Sequence, residues 1–331
     1  MWKTVTQARR LKSCALTLLA TLLLSGSFVP HARADKSLRI VVPFSAGSTI
    51  DALARQVANA LPKVSEYKSA FVENKSGAAG IIGTAAVSRA EPDGYTILLQ
   101  ANGLTTTPAV RNDLPFDTLK DLAPITLVGT TPYALIAPAE LPYDTLGALF
   151  DHAHQTGERV TFGTSGQGSQ SQLVLAQISK LTGVSFLEVP FRGQAETMLG
   201  VMGGQVQLAL MNLPSALLQL KDRRIKLLAT LTNERTAATP DVPSLPESGM
   251  GNMDEVAWYG FLAPSQTPPN IVTALNQAIV KVLQRPEVQA NLTEMGIIMV
   301  ASTPDAFADR LRSELAHYRK IAMEEHLQTA Q

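Results

Sequence analysis

Two stretches of this 331-residue chain bring glycines, hydroxyls and a helix start together: 43–51 (PFSAGSTID) and 162–171 (FGTSGQGSQS). Glycine lets a backbone approach a ligand closely, and serine and threonine add hydroxyl donors. A helix that begins at such a loop presents unpaired N–H groups and the positive end of its dipole. That combination suits a carboxylate or phosphate without any Lys or Arg. The plainer reading, a capped turn and nothing more, fits either loop taken alone. Asp51 also has two readings: it caps the helix, or it holds a ligand ammonium or a bridging water. Facing an anion directly would be repulsive.

The elements that must carry these loops alternate between strand and helix. Leu38–Val42 is a short apolar run that stops at Pro43, and Ile50, Leu53, Ala54, Val57 and Leu61 then form one helical stripe. Ser48-Thr49-Ile50-Asp51 fits an S-x-x-D capping pattern at its start. Further strands are expected at 69–72, 95–99, 134–137, 160–162, 186–189, 206–210 and 225–229. A helix is expected at 171–181, with Gly183 as its stop. After 258–263 the chain reads as three helices, 269–283, 286–295 and 304–325, each with proline in its first turn. This rhythm predicts an α/β fold of open sheets with right-handed crossovers.

Charge narrows the function. Lys plus Arg and Asp plus Glu both number 28, so the formal net charge is zero, and 45% of residues are hydrophobic. That balance offers no basic face for nucleic acid. The zero is an average over two parts. Lys3, Arg9, Arg10 and Lys12 precede an apolar run at 15–24, and Ala32-Arg33-Ala34 follows, the pattern of a secretory signal peptide cleaved after Ala34. Such a run is too short to span a bilayer of roughly 30 Å. Residues 35–331 carry a net charge of −5 and no cysteine, since the one cysteine is Cys14. The product is expected to be exported to the periplasm, soluble and free of disulfides.

Residues 39–51, RIVVPFSAGSTID, resemble the opening of the tripartite tricarboxylate transporter substrate-binding receptors, the Bug family. Further matches follow in order, among them VENKSGAAG at 72–80, PDGYT at 92–96, VPFRG at 189–193, NLPSA at 212–216, PDVPS at 240–244 and WYGFLAP at 258–264. The resemblance spans essentially the whole chain after residue 34. It implies a two-lobed periplasmic binding protein fold, with a hinge of crossing strands and a ligand cleft between the lobes. Lobe 1 would be 35–132 plus 258–331 and lobe 2 would be 133–257, with crossing strands near 132–138 and 258–264. The ligand would be a small carboxylate, gripped by lobe closure, and the partners the membrane subunits of the transporter. Carried over by motif, Phe44, Ala46, Gly47, Ser48 and Thr49 line the first side together with Asn102. Thr164, Ser165, Gly168, Ser169, Phe191 and Asn212 line the second.

This chain departs from the family pattern at Ser45, Ser48 and Ile50, and at Gln172 and Met211, where His and Asp are common. The last two departures remove ionisable groups, which favours an aromatic or aliphatic carboxylate over an amino acid. Arg192 has two readings, a partner for a distal carboxylate or a surface residue. No cofactor or metal is expected, and a monomer is. An enzyme is not expected: Ser165 lacks the last glycine of a G-x-S-x-G elbow, and no histidine is close to either loop in sequence. An exported serine hydrolase is therefore the weaker alternative, beside the same receptor feeding a signalling partner. Trp258, the one tryptophan after residue 34, is expected to report ligand by fluorescence.

Overall fold

The computed structural model describes residues 37–251, 253 and 255–328, so the export segment expected at 1–34 and the cleavage expected after Ala34 lie outside the described residues. Strand β1 (Ser37–Val42) leads into helix α1 (Thr49–Ala60), β2 (Ser69–Asn74), α2 (Ile81–Ser88), β3 (Thr96–Ala101) and α3 (Gly103–Val110). β1 lies between β2 and β3 and runs parallel to both. Leu38, Ile40 and Val42 are fully buried on one of its faces and Val41 on the other. A strand covered on both sides reads as an unbroken apolar run, which explains LRIVV. α1 lays Ile50, Leu53, Ala54 and Val57 against the first face, the stripe its spacing predicts. Trp258 and Phe307 close the second face over Val41 and Leu98.

Next comes β4 (Leu122–Pro138), a strand of 17 residues. It is followed by α4 (Leu146–Thr156), β5 (Val160–Thr164), α5 (Gln170–Thr182), β6 (Phe186–Pro190), α6 (Gln194–Met202), β7 (Leu208–Asn212), α7 (Leu213–Leu220) and β8 (Ile225–Thr230). The chain then returns through β9 (Val256–Pro264), α8 (Pro269–Leu283), α9 (Pro286–Glu294), β10 (Ile298–Met299) and α10 (Pro304–Glu324). Strand order is β2-β1-β3-β9-β4 on one side and β4-β7-β5-β6 on the other, with β8 and β10 also paired to β4.

β4 therefore serves two sheets. Its residues 122–132 pair antiparallel with β9, and residues 133–138 pair with β7 and β8. β9 begins opposite Pro132, so the two connections between the sheets run side by side. Only the second half of β4 follows from the sequence pattern. The first half holds Pro124 and Gly129, and the pairing absorbs them by register shifts at Pro124/Thr126 and Leu127/Gly129. Gly129 has a further reason to lack a side chain: a Cβ there would stand 2.5 Å from the Ile298 carbonyl oxygen of β10. Each sheet has its own apolar cores. Leu38, Leu53, Leu99 and Phe261 belong to one set, and Leu135, Phe162, Val174 and Leu210 to another.

Candidate ligand cleft

A cavity of about 480 Å³ opens where the two sheets meet, and residues from both line it. That volume suits a small organic molecule. From the first side come Phe44, Ser48, Thr49, Asn102 and Thr107, and from the second Ser165, Gly168, Ser169, Arg192 and Asn212. A larger groove of about 1210 Å³ lies beside it, lined by Leu213, Leu217, Leu218, Ile298 and Met299, but takes nothing from the 162–171 loop.

The first loop is held from behind. Ser48 is the N-cap of α1, yet its Oγ turns back to donate to the Ser45 carbonyl at 2.9 Å and makes no cap bond. Asp51 does not complete the expected capping box either. Its Oδ2 accepts the Gly47 N–H at 2.9 Å and Arg55 Nε at 3.0 Å, and its Oδ1 accepts Asn74 Nδ2 at 2.8 Å. Burial pushes the Asp51 carboxyl up, but the bonds from Arg55, Gly47 and Asn74 outweigh it and hold the group below the usual aspartate value. Asp51 is thus a brace and lies off the cleft, and the first N–H groups of α1 carry no side-chain cap.

The second loop differs, although its composition is the same. Ser169 caps α5 by accepting the Gln172 N–H at 3.3 Å, and Gln172 Oε1 accepts the Gly168 N–H at 2.8 Å. Ser171 Oγ accepts the Ser165 N–H at 2.8 Å and sits 2.9 Å from Ser169 Oγ. This loop satisfies much of its own backbone, so it offers the cleft hydroxyls more than bare N–H groups. Gln172 works here as a loop brace rather than as a site residue.

Of the residues expected at the site, Phe44, Ser48, Thr49, Asn102, Ser165, Gly168, Ser169 and Asn212 line the cleft. Ala46, Gly47, Asp51, Thr164 and Phe191 do not. Gly47 borders the neighbouring groove. Thr164 is buried, donating to Glu188 at 2.7 Å. Phe191 is packed over Gly163 and Gly200, where a Cβ would run into its ring. Asn102 lines the cleft but its amide is already engaged: Oδ1 accepts the Trp258 N–H at 2.9 Å and Nδ2 donates to the Val256 carbonyl at 3.1 Å. Arg192, open at the sequence level, does line the cleft, and it is the one charged residue that does so among the described residues. The sequence reading missed Thr107, Tyr133, Gln194 and Tyr259. They stand in apolar or ordinary segments whose one-letter pattern does not show which way a side chain faces.

A family model described as tripartite tricarboxylate transporter family receptor matches residues 53–326. The chain belongs to that receptor family. Its relatives include Protein BugT of Bordetella pertussis, 29% identical over 87% of this chain and 89% of that protein. Among solved structures, Rpa4515 of R. palustris with adipate is 28% identical with a TM-score of 0.79, covering 88% of this chain and 97% of that one. MatC from Rhodopseudomonas palustris with bound malate is 26% identical with a TM-score of 0.76, covering 86% and 98%. The fold is the two-lobed one of periplasmic binding proteins.

In this receptor a buried polar cluster ties the second loop to the junction. Gln170, the first residue of α5, donates its Nε2 to Glu255 Oε2 at 2.5 Å and to Tyr318 Oη at 3.0 Å. Tyr318 in turn donates to Glu255 at 2.7 Å, and Gln177 Nε2 donates to its other oxygen at 3.0 Å. Glu255 directly precedes β9, and Tyr318 lies on α10, so three segments converge on one carboxylate. A second carboxylate, Glu314 of α10, accepts Trp258 Nε1 at 2.8 Å and Thr105 Oγ1 at 3.1 Å. Burial pushes its carboxyl up, against the opposing effect of Arg310. No described histidine lines the cleft, and no described group of His, Cys, Asp and Glu could hold a metal ion. No described helix is long and apolar enough to cross a membrane.

Proposed function

We propose that this receptor works in the periplasm, capturing a small carboxylate by closing its lobes and delivering it to the membrane subunits of a tripartite tricarboxylate-type transporter. The observation that carries this is the cleft's charge pattern. Among the described residues its lining holds one cation and no acid, and the α1 N-terminus meets it without a side-chain cap. A net-acidic protein binds an anion this way through local dipoles rather than total charge. An α-amino acid fits less well, because no carboxylate among the described residues lines the cleft to pair with its ammonium. The adipate and malate bound to two relatives are acids of the proposed kind.

The proposed lobes are 35–132 plus 258–331 and 133–257, a division supported by the separate cores around Leu53 and Phe162. Phe44, Ser48 and Thr49 would meet the ligand from one side and Ser165, Gly168, Ser169 and Asn212 from the other. Export by cleavage after Ala34 and a monomeric state belong to the same proposal. The test is a thermal-shift screen of the mature protein against mono-, di- and tricarboxylates, aliphatic and aromatic, with Trp258 fluorescence read alongside. A ligand at 100 times its Kd adds about 2.7 kcal/mol to stability. Silence across all of them, or a response to α-amino acids alone, would overturn the proposal.

A further inference from the structure

Two tyrosines line the cleft on the strands where the lobes join. Tyr133 is the first β4 residue past Pro132, and Tyr259 is on β9 opposite Gly129. They are only 4% and 5% exposed, and neither hydroxyl has a hydrogen-bond partner among the described residues. Buried hydroxyls are normally partnered, so an orphaned pair in one cavity marks a place where something else binds. Neither oxygen is among the sealed, unpartnered side-chain atoms, so each reaches open space, and the space both residues line is the cleft.

The surroundings specify what that partner is. Tyr133 stands directly opposite Asn212 in the β4–β7 pair, which places both side chains on one face. Asn212 Oδ1 already accepts Gln194 Nε2 at 3.3 Å, leaving the Asn212 amide N–H groups to donate. Burial pushes the Tyr259 hydroxyl up to about 12 and Tyr133 well above its ordinary value, with Tyr259, Glu255 and Glu314 adding to the latter. Both phenols therefore stay protonated and able to donate. Arg192 also lines the cleft and no described acid does, so an anionic oxygen pair is the complement of these donors.

We propose that Tyr133 and Tyr259 form a second recognition point, donating their hydroxyls to a second carboxylate, so that the receptor selects dicarboxylates over monocarboxylates of equal chain length. The first carboxylate sits at the α1 N-terminus, so this inference rests on the carboxylate-receptor reading above.

The test is calorimetric titration of wild type, Tyr133→Phe, Tyr259→Phe and the double variant. The probes are succinate, glutarate and adipate, each paired with butanoate, pentanoate or hexanoate of the same length. Each single variant should weaken the best dicarboxylate about tenfold or more, the scale of a hydrogen bond to a charged group. It should leave the matched monocarboxylate and the melting temperature unchanged. Phe variants that bind dicarboxylates like wild type, or that lose both classes equally, overturn the assignment. So does a melting temperature that falls in step with affinity, which would make the hydroxyls structural. Wild type that takes none of the six also overturns it, while the receptor reading would still be decided by the wider screen.

Discussion

Asp51 Oδ2 accepts the backbone N–H of Gly47 at 2.9 Å, so the acid of the first loop faces away from the cleft and fixes the turn. The second lobe repeats the arrangement, with Glu196 Oε2 accepting the Arg192 N–H at 3.2 Å ahead of α6. In each helix an acid in the first turn reaches back past the N-cap. The N-caps, Ser48 and Gly193, make no side-chain cap bond.

Because Asp51 is held below its ordinary 3.8, the folded state binds that proton less readily than the unfolded chain. Its stabilisation is present above about pH 4 and is lost as pH falls through the folded value. Melting temperatures across the acid range should fall less steeply for Asp51→Asn than for wild type. Parallel curves would show that the loop does not depend on this charge.

His317 has the opposite sign. The Glu255 carboxylate, 3.8 Å away, raises it above 6.5, while burial works against the rise. A raised histidine stabilises fully below about pH 6.5, and the contribution disappears as pH climbs through the folded value. Wild type should therefore lose melting temperature between mildly acidic and alkaline buffer. His317→Ala should lose less over the same interval, and an equal loss would contradict the pairing.

Arg192 is exposed at the cleft edge, so its effect should be modest and sensitive to salt. Arg192→Gln should weaken a bound dicarboxylate about two- to fivefold at low salt. At high salt the two proteins should converge. A difference independent of salt would point to shape rather than charge.

Gly168 combines a left-handed backbone, φ +72, with a close neighbour: an added Cβ would stand 3.3 Å from Thr107 Cα across the cleft. Gly168→Ala should cost about 1–2 kcal/mol from the backbone alone. It should also hold the lobes apart, visible as a larger radius of gyration by small-angle scattering with ligand present. A variant that closes like wild type would show that this approach is not limiting.

Much of the frame was legible because buried periodicity is written in residue types. The α1 stripe and the proline-started helices at 269–283, 286–294 and 304–324 match their expected positions to within a residue. The first half of β4 was not legible, since Pro124 and Gly129 break the strand pattern and are rescued by bulges and by β10. The difference between the loops was hidden for another reason. Ser48 and Ser169 are the same residue at the same helix position, and the direction each hydroxyl takes, with Ser171 bracing the second loop, separates an uncapped helix end from a capped one. Tyr133 and Tyr259 stand in apolar runs, and three-dimensional placement alone shows their oxygens unpartnered.

The pairing of Pro132 with Val256 has a consequence for how the chain can be cut. Residues 122–132 and 256–264 already form an antiparallel hairpin whose ends meet at that pair, so 133–255 is an excursion from its tip. Replacing the excursion with a two-residue Asn-Gly turn would close the hairpin with a favoured loop. What remains would be a smaller protein built around β1 and α1, with Leu315, Tyr318 and Ile321 newly bared where Leu173 now packs. Polar substitutions at those three positions are the further change such a miniature would need.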